Sequence, residues 1–271
     1  MQTFPLNYFS ALIGPRQLFA GRKQLSWLNF SLIFLFLVSL MVVPVTLFYA
    51  NQVKAIPMAQ FLTVESLIDQ PGVDRFSQLK VVNGELESAP MIISESDDLL
   101  IDTDLSKAQQ SEKNAFINFE KNNWTIQQKE GDTTRTYQMN YLSSIDPASV
   151  TTPQEFQLFL EQAFYASNRP TIILSYSLSL GIILFIMTAL ILFGAAFFLW
   201  MTRKSRFSSI HTFKESANLM LNVIGVGSII SAVVGLVHFD FVLMLGIQST
   251  VAVLLLLWIF AKTGFKDEPI K

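Results

Sequence analysis

Residues 28–50 form an apolar run without a single charged side chain, and the next run of that kind begins only at Thr171, with a largely polar segment between them. Crossing the roughly 30 Å hydrocarbon core of a bilayer takes about 20 helical residues at 1.5 Å each. Four stretches reach that length without Asp, Glu, Lys, Arg or His: 28–50, 171–201, 219–237 and 241–261. In lipid a continuous helix is what satisfies their backbone polar groups. The expected fold class is therefore an α-helical integral membrane protein with four transmembrane helices and one folded segment outside the bilayer, inserted between the first and second spans.

Basic residues set the orientation, because cytoplasmic flanks carry an excess of Lys and Arg. The stretch before the first span holds Arg16, Arg22 and Lys23 and no acid, and the loop after the second holds Arg203, Lys204, Arg206 and Lys214 against Glu215. The last tail, with Lys262, Lys266 and Lys271 against Asp267 and Glu268, belongs on the same side, whereas the link 238–240 has no Lys or Arg. Residues 51–170 carry 9 basic and 17 acidic side chains, a net of −8. The expected layout is thus a cytoplasmic interfacial segment at 1–27, spans at 28–50, 171–201, 219–237 and 241–261, an extracytoplasmic domain at 51–170, a cytoplasmic loop at 202–218, an outer turn at 238–240 and a cytoplasmic tail at 262–271. That is a multi-pass plasma-membrane protein with both termini in the cytoplasm.

The first run reads as a retained signal anchor: it is longer than the roughly 7–15 residues of a secretory core and closes on bulky Phe48 and Tyr49 before Ala50. Pro44 within it either kinks the helix or is a tolerated membrane proline. The chain has no cysteine, so the outer domain depends on packing alone, and a net charge of −2 gives no reason to expect a nucleic-acid partner.

At the N-terminal end, Phe4, Leu6, Tyr8, Phe9, Leu12, Ile13, Leu18 and Phe19 interleave with Arg16, Arg22 and Lys23. The pattern suits two short helical pieces around Gly14-Pro15, lying in the headgroup layer with the three cations at the membrane surface. The same face can instead dock a cytoplasmic or membrane partner. In the third span, Gly227, Ser231 and Gly235 recur every four residues, with Ser228 and Ala232 beside them, a stripe that lets two helix backbones approach closely. Asp240 suits an N-cap of the fourth span, while Asn222 and Gln248 are polar exceptions suited to interhelical hydrogen bonds.

The outer segment reads as a small α+β, β-rich domain. Asn83-Gly84 between short apolar segments signals a two-residue hairpin turn. Further strands are expected at 91–94, 99–102, 115–119, 124–129 and 134–139, with Gly131-Asp132 as a turn, and helices at 60–68 and 152–166. The carboxylates Glu95, Asp97, Asp98, Asp102 and Asp104 do not fit a calcium loop, because counting from Asp97 puts Asp102 where glycine is needed and Ala108 where glutamate is needed. They read as a solvated acidic turn. Asn123-Trp124-Thr125 matches a glycosylation sequon, a pattern common by chance.

His211 and His238 fall on opposite sides of the bilayer in this layout, so no paired-histidine metal site or Cys–His dyad is available, and neither a nucleophile elbow nor a phosphate loop occurs. The expectation is no enzyme, no catalytic residue, no metal and no cofactor. Trp124, Tyr137 and Tyr141 are the candidate ligand contacts if the outer domain binds sugar, although core packing accounts for them more simply.

The chain resembles a family of Gram-positive membrane proteins, the YvdJ-type maltodextrin utilisation proteins. The likeness runs over most of the chain: Tyr8-Phe9-Ser10 through Pro15-Arg16, the Asn83-Gly84-Glu85-Leu86 turn, Leu100-Ile101-Asp102-Thr103, and the three-helix block after the outer domain. The resemblance implies a bacterial plasma-membrane location and an association with maltodextrin uptake or utilisation, with no catalytic residue to carry over. The reading is a non-enzymatic accessory or regulatory protein whose partners are the lipid bilayer and a sugar ABC permease or other membrane protein, with a homo-oligomer also open. The alternatives are a transporter component working as an oligomer or with a permease, and a cell-envelope scaffold or sensor.

Overall fold

The computed structural model describes residues 4–64, 67–141, 146–204 and 208–267. Arg206, Glu268 and Lys271, used above for orientation, and the side chain of Lys204 lie outside the described residues. The chain divides into two compact units, Met1–Ala50 with Ile173–Lys271, and Asn51–Ile172.

The first unit is helical. Two short helices, α1 (Leu6–Ala11) and α2 (Pro15–Ala20), are split at Gly14, because Pro15 has no N–H to donate and starts the second helix at its first position. A single 3-10 turn, Gly21–Lys23, leads to α3 (Trp27–Asn51), which continues through Pro44. Three long helices follow the sheet region in chain order: α6 (Pro153–Met201), α7 (Phe213–Val237) and α8 (Phe241–Thr263). Together with α3 they are four helices long and apolar enough to cross a membrane.

Two boundaries differ from expectation. The helix expected at 152–166 and the span expected from Thr171 are one continuous helix with Pro170 inside it. Much of the expected loop at 202–218 belongs to α7, because Thr212 and Glu215 form a capping box: the Thr212 hydroxyl accepts from the Glu215 N–H at 3.2 Å, and the Glu215 carboxylate accepts from the Thr212 N–H at 3.2 Å. Asp240 caps α8 by accepting from the Leu243 N–H at 2.8 Å, and Gly264 ends it in the left-handed conformation. The core of the unit is Leu37, Met41 and Val45 of α3 against Leu184 and Leu192 of α6, Leu221 and Ile224 of α7, and Met244 and Ile259 of α8.

The second unit holds a five-stranded sheet in the order β3 (Ile92–Glu95), β4 (Leu99–Asp102), β5 (Ala115–Phe119), β6 (Asn123–Glu130), β7 (Thr133–Asn140). A separate hairpin pairs β1 (Val81–Val82) with β2 (Glu85–Leu86). Asn83 and Gly84 both take positive φ in its turn, the conformation that Asn-Gly supplies at least cost. All sheet neighbours are antiparallel except β4 and β5, which pair in parallel, and α5 (Lys107–Glu112) lies on the crossover that a parallel connection requires. The two parallel strands are buried along their whole length.

Aromatic side chains join the sheet to its helices. Phe76 from α4 (Gln70–Phe76) packs within 5.4 Å of Phe119, Phe156 and Phe159, and Phe61 stacks on Phe164 at 4.0 Å. The helix expected at 60–68 does not form over its described residues. Asp69 instead caps α4, accepting from the Gly72 N–H at 2.9 Å.

Candidate functional site

A set of buried polar groups lies where the N-terminal segment meets α7. Apolar Tyr8, Leu18 and Phe19 are buried, which brings the backbone of α2 and the 3-10 turn against Asn218 and Asn222, one helical turn apart on α7. Asn222 Nδ2 donates to the Leu18 carbonyl at 3.1 Å. Asn218 Nδ2 donates to the carbonyls of Arg22 and Leu25 at 2.9 and 3.1 Å. The Tyr8 hydroxyl donates to the Leu221 carbonyl at 3.2 Å, and burial pushes its phenol above the ordinary range. Gly21 permits this approach, since a Cβ there would lie 2.8 Å from Asn222 Nδ2.

Arg22, expected at the membrane surface, is instead 1% exposed. Its guanidinium donates to the Phe19 carbonyl at 2.9 Å, lies 3.8 Å from the Phe19 ring centre and forms an ion pair with Asp267. A guanidinium tolerates burial when its fork of donors finds oxygen acceptors, and here the chain folds back to supply them to both terminal nitrogens, while the buried Nε has no hydrogen-bond partner. Lys23 pairs with the same carboxylate at 2.8 Å but stays half exposed, and Arg16 is exposed. Burial alone would raise the Asp267 carboxyl. The hydrogen bonds from Lys23 and Arg22, with their charges, outweigh it and hold that carboxyl below the usual range.

A second polar node lies inside the helical unit. Gln248 of α8 donates to Ser228 of α7 at 2.8 Å, lies 3.3 Å from Thr188 of α6 and 3.3 Å from the Met41 sulfur of α3. One amide therefore touches all four long helices. Beside it, Gly227, Ser231 and Gly235 are buried against α8: a Cβ on Gly227 would lie 2.7 Å from the Gln248 carbonyl oxygen, Ser231 donates to the Met244 carbonyl at 2.6 Å, and a Cβ on Gly235 would meet the Met244 sulfur at 2.7 Å.

In the sheet unit, Trp124 cannot serve as a ligand contact, because it is fully buried and stacked between Phe119 and Phe159 at 5.1 and 5.6 Å. Tyr137 is half-buried and set edge-on to Phe164 at 5.0 Å. Tyr141 donates its hydroxyl to the Glu120 carbonyl at 2.6 Å, and burial, with the Glu120 charge, raises its phenol. The structure thus brings none of the three to a common exposed face. Asp102 departs from the solvated acidic turn: it is 5% exposed and accepts from the N–H groups of Thr103 and Asp104 at 2.6 and 3.1 Å. Among the described residues no three His, Asp or Glu side chains are placed to share a metal ion.

Asn218, Ser209, whose carbonyl accepts from the Arg22 guanidinium at 3.4 Å, and Asp267, named only among the tail charges, were not singled out from sequence as parts of a site. The Asn218–Asn222 spacing was a usable signal, since two amides one turn apart in an apolar helix need acceptors on the same face. Nothing local marks Ser209 or Asp267, whose partners lie far along the chain.

No protein-family profile matches this sequence, and no solved structure matches it. Over 269 residues, 98% of this chain and 98% of the relative, it is 26% identical to the Maltodextrose utilization protein MalA of Streptococcus pneumoniae. The similarity to that protein runs from end to end of both chains.

Proposed function

We propose that this chain is a non-enzymatic accessory or regulatory protein of maltodextrin uptake or utilisation. It sits in the plasma membrane by four helices, with both termini cytoplasmic and the sheet unit on the outer side, and acts through contact with a sugar permease. The observation that carries the reading is the full-length similarity to a maltodextrose utilization protein, joined to a chain with four apolar helices and a separate sheet-bearing unit. The polar groups inside the helical unit favour an accessory over a transporter. Gln248, Thr188 and Ser228 spend their hydrogen bonds on one another, which is the pattern of helix packing rather than of a site open to a polar substrate.

The test is affinity purification of the full chain in mild detergent from membranes of cells grown on maltodextrin. Permease subunits should co-purify. A clean preparation lacking every transporter subunit overturns the proposal, as does accumulation of maltodextrin by vesicles reconstituted with this chain alone.

A further inference from the structure

The five-stranded sheet has two edges, and the chain leaves them in different states. The β3 edge is guarded: the strand is 4 residues long, its register with β4 shifts between Ile92 and Ser94, and Arg75 Nε of α4 donates to the Ile93 carbonyl at 2.7 Å. The β7 edge carries no such device. It runs 8 residues in unbroken register with β6, holds no proline, and has Arg135 as its single charged residue.

The ladder fixes which backbone groups β7 leaves over. The Lys129 N–H donates to the Asn114 carbonyl at 2.8 Å and the Glu120 N–H to the Asn123 carbonyl at 2.9 Å, so the odd-numbered residues of β6 bond towards β5 and the even-numbered ones towards β7. The latter stand opposite Thr133, Arg135, Tyr137 and Met139. Because bonding alternates along an antiparallel strand, the N–H and C=O groups of Thr134, Thr136, Gln138 and Asn140 point away from the sheet. Ser167 Oγ accepts from the Asn140 N–H at 3.0 Å and closes that end. Thr134, Thr136 and Gln138 are exposed, and on that side their backbone groups have no partner among the described residues.

An open row of this kind is a template for another strand, and the residues of β7 select which. Laid antiparallel to itself about a two-fold axis through Thr136, β7 pairs Thr136 with Thr136 and Thr134 with Gln138, so every open N–H meets an open C=O. The same register sets Arg135 opposite Tyr137 of the other copy, a cation beside an aromatic ring. A step towards the β6–β7 turn would set Arg135 against Arg135, and like charges directly opposite destabilise a pair. A step the other way puts Thr134 opposite Asn140, whose N–H Ser167 already holds. We infer that β7 is a docking edge for the β7 of a second copy of this chain, with Thr136 at the two-fold axis. The pairing is separate from any contact with a permease and holds whichever side of a membrane the sheet unit occupies.

The paired stretch is short, so cross-linking in place reads it better than mass in solution. The chain has no cysteine, and each introduced thiol therefore reports alone. The full chain is expressed as two differently tagged copies, and washed, permeabilised cells are treated with copper phenanthroline. Thr136→Cys should link the two tags, because facing Cα atoms of a bonded pair lie about 5.5 Å apart, within disulfide range. Lys121→Cys, 72% exposed in the β5–β6 link, should react at least about tenfold more slowly, since pairing raises the effective concentration of facing thiols. Thr134→Cys on one copy should join Gln138→Cys on the other, and adding Thr136→Pro to both copies should slow that joining to the Lys121→Cys rate. Proline at an edge position whose N–H faces outward keeps the sheet, so the melting temperature should hold. Thr136→Cys reacting no faster than Lys121→Cys, Thr134–Gln138 joining that ignores Thr136→Pro, or a thiol at position 136 captured by a different polypeptide each overturns the assignment. Should Thr136→Pro lower the melting temperature, the rates of Thr136→Cys and Lys121→Cys still decide it.

Discussion

Two cations share one carboxylate in this protein, and burial decides what each contributes. Arg22 is enclosed, with a backbone carbonyl, an aromatic face and Asp267 around it, whereas Lys23 reaches the same carboxylate from water. Removing a buried guanidinium strands the acceptors it satisfied, so Arg22→Ala should destabilise the helical unit by about 2 kcal/mol, less than for a fully buried pair because Asp267 stays half exposed. Lys23→Ala should cost no more than about 0.5 kcal/mol, since an exposed pair gains little over hydration. Thermal unfolding of the full chain in detergent checks both. The sign with pH follows from the lowered Asp267 carboxyl: its stabilisation is complete above the ordinary carboxylate pKa of about 4 and is lost as pH falls through the lower folded value. Asp267→Asn should remove that acid-side loss from the melting profile between about pH 6 and pH 2.5. In the sheet unit, Trp124→Ala empties a site stacked on both sides and should cost about 3–5 kcal/mol, read as the melting of the same full chain.

The α7–α8 hairpin is held by how closely two backbones approach, and its two kinds of glycine separate that effect from helix propensity. Gly227 faces the Gln248 backbone, which cannot move aside as a side chain can, so Gly227→Leu should prise the helices apart and cost about 2 kcal/mol or more. Gly246 on α8 has nothing within 4 Å of a Cβ, and Gly246→Ala should be neutral or stabilising by up to about 1 kcal/mol. Proteolysis of the link between α7 and α8, followed by size-exclusion, reads the difference. Such elements are legible in sequence where the signal is local. Asn83-Gly84 fixes its turn by backbone chemistry, and alternation along β6 puts Trp124 and Ile126 on one face and Thr125 and Gln127 on the other. Thr212 and Glu215 carry the capping signature too, and it rather than hydropathy sets where α7 begins. The parallel pairing of β4 with β5 and the burial of Arg22 were not legible, because their partners are chosen by the folded chain: Asp267 lies 245 residues from Arg22.

Charge distribution over the chain is the basis for assigning its sides. The acidic segment 51–170, at −8, lies between two cation-rich flanks, and the orientation depends on several clusters rather than on one. Arg22 and Lys23 are engaged with Asp267, which leaves Arg16 as the cation before α3 with no carboxylate partner among the described residues, while Arg203 and Lys214 flank the loop after α6. Since Lys and Arg close to the ends of spans set topology and acids contribute little, neutralising Arg16 alone should not reorient the chain. An alkaline phosphatase fusion at Gln109 should therefore be active in wild type and in Arg16→Gln alike, and the same enzyme fused after Asp267 should be inactive in both. A fluorescent protein, which matures in the cytosol, should give the opposite pattern at the two positions. Activity confined to the cytosolic reporter at Gln109 would put the sheet unit on the inner side, where it cannot meet maltodextrin before uptake, and contact with a permease would then have to come from the cytoplasmic face.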